Sequence, residues 1–213
     1  MNALLYTVQL MNNTDKEDTV TLEILQAIEK QDNVTQRHLA NKLDVALGLA
    51  NSYLKRCVHK GLVKVQQAPA NRYLYYLTPQ GFAEKSRLTV KYLSTSFDFY
   101  RQAGESLSKA FDLCESQNKK SVLICGVSEL AEIACLRAQE HKIKIIGVFD
   151  PCSKKENFLH LKVWHQLENV SEHDVCLVTS LENTMSLIEL LQSHIKEDNI
   201  LIPSILGISA NNT

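Results

Sequence analysis

The feature that most constrains this chain is a change of hydrophobic period at Gly61. Before it, apolar residues recur at steps of three and four; after it, they alternate. Leu22, Ile24, Leu25 and Ile28 mark an amphipathic helix, and Thr35 is placed to cap a second whose inner face is Leu39, Ala40 and Leu43. After a short turn from Asp44 to Gly48, a third helix carries Ala50, Leu54, Cys57 and Val58 on its buried side, and Gly61 supplies its left-handed stop. LVKVQQ and RYLYYL then alternate around the tip Ala68-Pro69-Ala70-Asn71. Three helices followed by a hairpin predict a winged helix-turn-helix.

The third helix is divided as a groove-reading helix must be. Opposite its apolar stripe lie Gly48, Leu49, Asn51, Ser52, Lys55, Arg56 and His59. Asn51 and Ser52 are expected to read base edges, asparagine being suited to adenine, while Lys55 and Arg56 suit phosphates. Leu49 has two readings, contact with a thymine methyl or packing on its own domain. Lys64 adds a phosphate contact, and Arg37 belongs to the same basic set. Arg72, at the hairpin tip, either enters a minor groove or is a plain surface charge. Charge supports the assignment: residues 35–91 hold ten Lys or Arg against Asp44 and Glu84, net +8, whereas the remainder holds 13 basic and 22 acidic residues. That segment is suited to double-stranded DNA.

TQRHLANKLDV, KRCVHKGLVKVQ, and NRYLYYLTPQGFAEKSRLTVKYL, which contains LTPQG at 77–81, together resemble the MarR-type winged-helix regulators. The similarity is greatest to the branch associated with exopolysaccharide and lipopolysaccharide gene clusters, and it spans roughly residues 20–100. It implies a DNA-binding transcriptional regulator. Where that branch has polar residues near the start of the recognition helix, this chain has Ala46 and Leu49, a departure that bears on operator preference.

From residue 82 to about 118 there is no proline and one glycine, Gly104, which predicts a long helix. Val90, Leu93, Phe97, Tyr100, Gly104, Leu107, Phe111 and Cys114 recur at alternating steps of three and four, a heptad seam. Such a seam pairs two chains into a homodimer or lies on its own domain; pairing is the expectation carried forward. The domains are expected at 1–88 (winged helix), 89–118 (linker and dimerisation helix) and 119–213.

In the last of these, strand and helix alternate. KKSVLICG, IKIIGVFD, HLKVW, DVCLVTS and NILIPSIL read as about five strands of a parallel sheet, giving an α/β, Rossmann-like architecture. ICGVSELAEIA opens as a phosphate-binding turn opens, but Ser128 and Ala131 stand where the dinucleotide fingerprint has glycines, and Glu129 competes with an anion for the helix dipole. Asp150 ends the second strand, where it would accept ribose hydroxyls or else cap the turn before Pro151. Gly126, Ser128, Glu129, Asp150, Thr179 and Ser180 form the candidate ligand site; Thr179 and Ser180 either line a pocket or cap the following helix. This half resembles, more loosely, the Rossmann-like domains of Rex redox repressors and of the amino-terminal module of sugar-nucleotide acyltransferases. That likeness implies a nucleotide or nucleotide-sugar as a small-molecule effector, not one required for folding; the other reading of this half is a packing and partner-interaction surface.

Catalytic and metal chemistry have little support. No GxSxG, HExxH, Walker or CxxC motif occurs, and a zinc site from Cys152, His160, His165 and His173 would depend on the fold to assemble it. Most of the six cysteines sit in apolar runs, as reduced packing residues do; Cys152, in a loop, is the one open to reaction. With no apolar run long enough for a membrane span and no secretion signal, a cytoplasmic protein is expected. The expectation is a dimeric DNA-binding regulator rather than an enzyme. An enzyme acting on a sugar nucleotide, or an interaction adaptor that no longer binds DNA, are the alternatives.

Overall fold

A computed structural model describes residues 13–30, 34–69 and 72–208, apart from the side chains of residues 13–15 and 72. The chain divides into two compact units, residues 1–96 and 97–213.

The first unit runs α1 (Asn13–Lys30), α2 (Gln36–Leu43), α3 (Leu47–His59), β1 (Val63–Ala68), β2 (Arg72–Leu77) and the start of α4 (Pro79–Ser116). Thr35 caps α2 by accepting the His38 N–H at 3.1 Å. Asp44 then turns the chain from the left-handed region, at φ 51°, so that α3 can begin three residues later. Ile24, Leu25, Leu39, Ala50, Leu54, Cys57, Tyr75 and Leu88 close the core between α1, α3 and the hairpin. Each fully buried aliphatic side chain there contributes about 1.5–3 kcal/mol, which fixes α3 by one face alone.

Gly61 ends α3 at φ +70°, and the Leu62 N–H returns to the Cys57 carbonyl at 2.9 Å. The LTPQG segment locks this end to the hairpin. The Thr78 hydroxyl donates to the Gly61 carbonyl at 2.6 Å and accepts the Gly81 N–H at 3.0 Å, while the Thr78 N–H donates to the Leu62 carbonyl at 3.1 Å. Pro79 occupies the first helical position, where its missing N–H costs nothing. A Cβ at Gly81 would stand 2.1 Å from the Leu62 oxygen, so only glycine admits this approach.

The second unit contains the rest of α4, then β3 (Ser121–Cys125), α5 (Glu129–Ala138), β4 (Lys144–Phe149), β5 (Asn157–Phe158), β6 (Leu161–Trp164), β7 (Val175–Val178), α6 (Thr184–Gln192) and β8 (Ile200–Leu201). The sheet order is β5-β6-β4-β3-β7-β8. All neighbours are parallel except β5, a two-residue strand that pairs antiparallel with β6. The five expected parallel strands are thus joined by a short edge strand, and the sheet is mixed. One face packs on α5 and the end of α4, the other on α6. The strand order reverses at β3, so the carboxyl ends of β3, β4 and β7 converge.

The long helix is continuous, yet its two parts belong to different cores. Leu88 is buried in the first unit; Ala103, Leu107, Phe111 and Cys114 are buried in the second. This corrects the heptad reading for Leu107 and Phe111. Both are fully buried in their own chain, and pairing with another molecule would have to strip them from that core. Gly104 likewise accommodates its own unit, since a Cβ there would stand 2.7 Å from Nε of Arg137. Val90, Leu93, Phe97 and Tyr100 remain exposed.

Candidate nucleic-acid interface

Helix α3 is held by Ala50, Leu54 and Cys57, which leaves Gly48, Leu49, Ser52, Lys55, Arg56 and His59 exposed. Arg37 on α2 and Lys64 on β1 are exposed too. Among the described residues, Arg37, Lys55 and Lys64 have no carboxylate partner, so their charge is available to phosphates. Arg56 is differently placed. Its guanidinium lies 4.5 Å from the Tyr53 ring centroid and 3.4 Å from Oε1 of Glu17, the same oxygen that holds Lys60 Nζ at 3.3 Å. A phosphate would have to compete with Glu17 for both cations.

Other cations of the basic segment are also engaged within the first unit. Lys85 pairs with Glu29, Arg87 with Glu84 at 2.8 Å, and Lys91 with Asp18 at 2.7 Å. The Arg87 guanidinium, by hydrogen bonding, holds the Glu84 carboxyl below its ordinary range. The acids of α1 therefore fold back onto the segment, and the charge free to meet DNA is concentrated on α2, α3 and β1.

Asn51 is corrected as a base reader. It is half-buried, and its Oδ1 is enclosed with no hydrogen-bond partner among the described residues. A bidentate contact to adenine needs both ends of the amide at the base edge, and in either orientation one end here stays inside. Ser52 and Lys55 take the outward positions instead. The Arg72 side chain, like the hairpin tip at Ala70 and Asn71, lies outside the described residues. The hairpin adds a feature that charge counting missed. Tyr73 and Tyr76 are exposed, and Tyr76 sits directly across from Lys64 in the β1–β2 register, so a phenol and an ammonium share the wing. The run of tyrosines in RYLYYL was the available signal.

The candidate ligand residues of the second unit do come together at the carboxyl ends of β3, β4 and β7, but they bind one another. Asp150 Oδ2 accepts the Val127 N–H at 2.8 Å; its Oδ1 accepts those of Cys152 and Ser153 at 2.9 and 3.0 Å. Ser128 caps α5 by accepting the Ala131 N–H at 3.1 Å and donates to the Thr179 carbonyl at 2.6 Å. Thr179 Oγ1 donates to the Gly126 carbonyl at 2.7 Å, and Ser180 donates from its side chain to the Glu182 carbonyl. Glu129 is exposed in the first turn of α5. Gly126 has φ +107°, and a Cβ on it would stand 2.5 Å from Ser180 Cα and N. Glycine is therefore required at this turn by the close approach of the chain after β7, while Ser128 stands where the fingerprint's second glycine would admit a pyrophosphate. Of the paired readings for Asp150, the turn cap is the one seen.

His165 Nδ1 is 3.0 Å from the Asp150 carbonyl and His173 Nε2 is 3.3 Å from Cys176 Sγ, whereas Cys152 and His160 are exposed. Among the described residues no three metal-ligating side chains converge. Burial pushes the Cys57 and Cys135 thiols up to about 11, as suits packing groups. No described helix is long and apolar enough to cross a membrane.

Residues 17–64, from within α1 to the start of β1, match the winged helix-turn-helix DNA-binding family. Together with the rest of the hairpin and the start of α4 they form a winged helix-turn-helix. Among solved structures, the S. aureus MepR–DNA complex is 22% identical over 40% of this chain and 60% of that one, with a TM-score of 0.34. Human N-acetylserotonin methyltransferase in complex with SAM is 14% identical, covering 95% of this chain and 80% of that one, with a TM-score of 0.36. No curated protein matches the chain.

Proposed function

We propose that the chain is a DNA-binding transcriptional regulator of the MarR type that acts as a homodimer and without catalytic turnover. The observation that carries this reading is the division of α3: Ala50, Leu54 and Cys57 anchor it, while Ser52, Lys55 and His59 face outward, and Arg37 and Lys64 are exposed with no carboxylate partner among the described residues. In operation α3 enters the major groove and the hairpin lies along the flanking backbone. Dimerisation draws support from Val90 and Phe97, 68% and 58% exposed on one helix at heptad spacing with Leu93 and Tyr100. Two winged helices related by a two-fold axis would read half-sites about one helical turn apart. The MarR-branch resemblance supports polysaccharide-biosynthesis genes as targets.

The second unit serves this regulator as a scaffold and partner surface. A nucleotide or nucleotide-sugar effector would have to take the Val127 N–H from Asp150 and the Ala131 N–H from Ser128. It would regulate only by preferring one arrangement of the DNA-binding units.

The testing experiment is a salt titration of the full chain on duplex DNA, by fluorescence anisotropy. Affinity should fall steeply with salt, because each neutralised phosphate releases counterions, and Lys55→Ala should reduce the slope by about one. A salt-independent affinity would reject the proposal in favour of an interaction adaptor. Phe97→Glu should convert a dimer to a monomer in sedimentation, and an unchanged mass would remove α4 as the pairing element.

A further inference from the structure

We infer that Leu47 and Leu49 make the first turn of α3 a reader of thymine methyl groups, so that the preferred duplex places thymines beneath that turn. This rests on the DNA-binding reading above and specifies what the site selects.

Leu47 and Leu49 are 46% and 44% exposed, while the stripe that anchors the helix begins at Ala50. The core does not require them. Nor does the first turn follow ordinary helix chemistry. Its N-cap is Ala46, which makes no side-chain cap, although a Ser, Thr, Asp or Asn there would stabilise the helix by about 1 kcal/mol. From Ala46 to Ala50 there is no polar side chain.

Gly48 lies between the leucines. Its φ is not in the left-handed region, and a Cβ on it would meet nothing within 4 Å. Neither backbone conformation nor packing therefore requires glycine here, and alanine is the better helix former. A missing side chain at that point gives room to something outside the chain. Gly48, Ser52, Lys55 and His59 follow at steps of four, three and four, so the open position begins the outward line of the helix, with a leucine on either shoulder.

What covers such a turn is decided by its surroundings. The same outward line carries Lys55 and His59, and the same unit exposes Arg37 and Lys64, which is the environment of a polyanion rather than of an apolar protein surface. Within a major groove a leucine forms no hydrogen bond, and the one apolar group on the base edges is the C5-methyl of thymine. Leucine side chains brought to the groove floor by the clearance at Gly48 can thus discriminate bases only by burying that methyl.

The test uses the full chain and a site enriched from random duplex. Each thymine is replaced singly by deoxyuridine, which removes the methyl and leaves every hydrogen-bonding group and phosphate. Wild type should lose about fourfold in affinity at one or more positions, the value of one buried methyl-sized group. Leu47→Ala or Leu49→Ala should abolish that sensitivity at its own position while keeping the wild-type salt slope; both residues are exposed, and unchanged thermal melting verifies the fold. The inference is overturned if deoxyuridine is neutral at every position. It is also overturned if both leucine variants retain the wild-type profile, which would place the first turn off the DNA and leave it to a protein partner. Wild type that binds no duplex in a salt-dependent manner would instead remove the DNA-binding reading itself, and this inference with it.

Discussion

Gly81→Ala sets two physical effects against each other, and its sign tells which governs the winged helix. Helix propensity favours alanine by up to about 1 kcal/mol. Sterics oppose it, because the new Cβ would stand 2.1 Å from the Leu62 carbonyl oxygen, where an ordinary C···O contact is about 3.3–3.6 Å. No flexible side chain can yield, since the obstacle is backbone. Moving it also pulls on the Thr78 hydroxyl bond to Gly61 and the Thr78 N–H bond to Leu62. Overpacking costs about 1–3 kcal/mol, and each weakened hydrogen bond about 0.5–1.5 kcal/mol. After the propensity gain the first unit should lose about 1–5 kcal/mol, centred near 3. For a unit of this size a loss of about 3 kcal/mol lowers its melting midpoint by roughly 12–24 °C. Far-UV circular dichroism follows both units, while the single tryptophan, Trp164, reports the second and serves as an internal reference. A first-unit midpoint that is unchanged or raised would refute the claim that LTPQG is a steric junction.

Three further outcomes are expected. Gly126→Ala should destabilise the second unit by about 3 kcal/mol, from left-handed strain and the clash with Ser180, and Trp164 fluorescence in urea should show it; a shift under 1 kcal/mol would mean the Thr179–Ser180 loop yields freely. Glu17→Gln should tighten DNA binding roughly two- to fivefold at low salt by releasing Arg56 and Lys60, the scale of an exposed ion pair, and weaker binding would contradict that competition. Hydrogen bonds from the Ser121 N–H and hydroxyl, then the Lys120 N–H, hold the Asp174 carboxyl below its ordinary range. A depressed carboxyl stabilises the fold above its unfolded pKa of about 4 and stops doing so as pH falls through the lower folded value. Asp174→Asn should therefore make the second unit's stability flatter between neutral pH and acid, and an acid limb as steep as wild type would exclude Asp174 as a contributor.

Local chemistry was legible where a residue's task involves only its neighbours in sequence. Thr35 caps, Gly61 stops a helix, and the change of period at that glycine marks the start of the hairpin; none of these needs knowledge of the rest of the fold. Three readings failed where partners come from elsewhere. The charge of residues 35–91 was counted in a window, but Glu17, Asp18 and Glu29 of α1 reach into it and occupy Arg56, Lys60, Lys85 and Lys91. The heptad seam states that one helix face is apolar without stating what covers it, and for Leu107 and Phe111 the cover is the chain's own sheet. Asn51 lies at the margin of the outward face, and a helical wheel does not show that its amide oxygen is enclosed.

The glycine loop shows why a motif can persist where its ligand geometry does not. A strand-to-helix turn needs a residue tolerant of positive φ, a short hydroxyl to cap the helix, and an acceptor for the loop N–H groups. Gly126, Ser128 and Asp150 meet those needs whether the space above them holds a phosphate or a peptide. Here Thr179 and Ser180, delivered by β7, close on that turn, and Thr179 bonds to Ser128 and Gly126. A dinucleotide would have to displace the Ser128 bond to Thr179 and the Thr179 bond to Gly126, and to take the Val127 N–H from the Asp150 carboxylate. Each bond replaced is net worth about 0.5–1.5 kcal/mol, and those to a carboxylate more. An effector must therefore first offset several kcal/mol of self-satisfaction before it can use the strand ends, so weak binding at this loop is the expected result of any nucleotide titration.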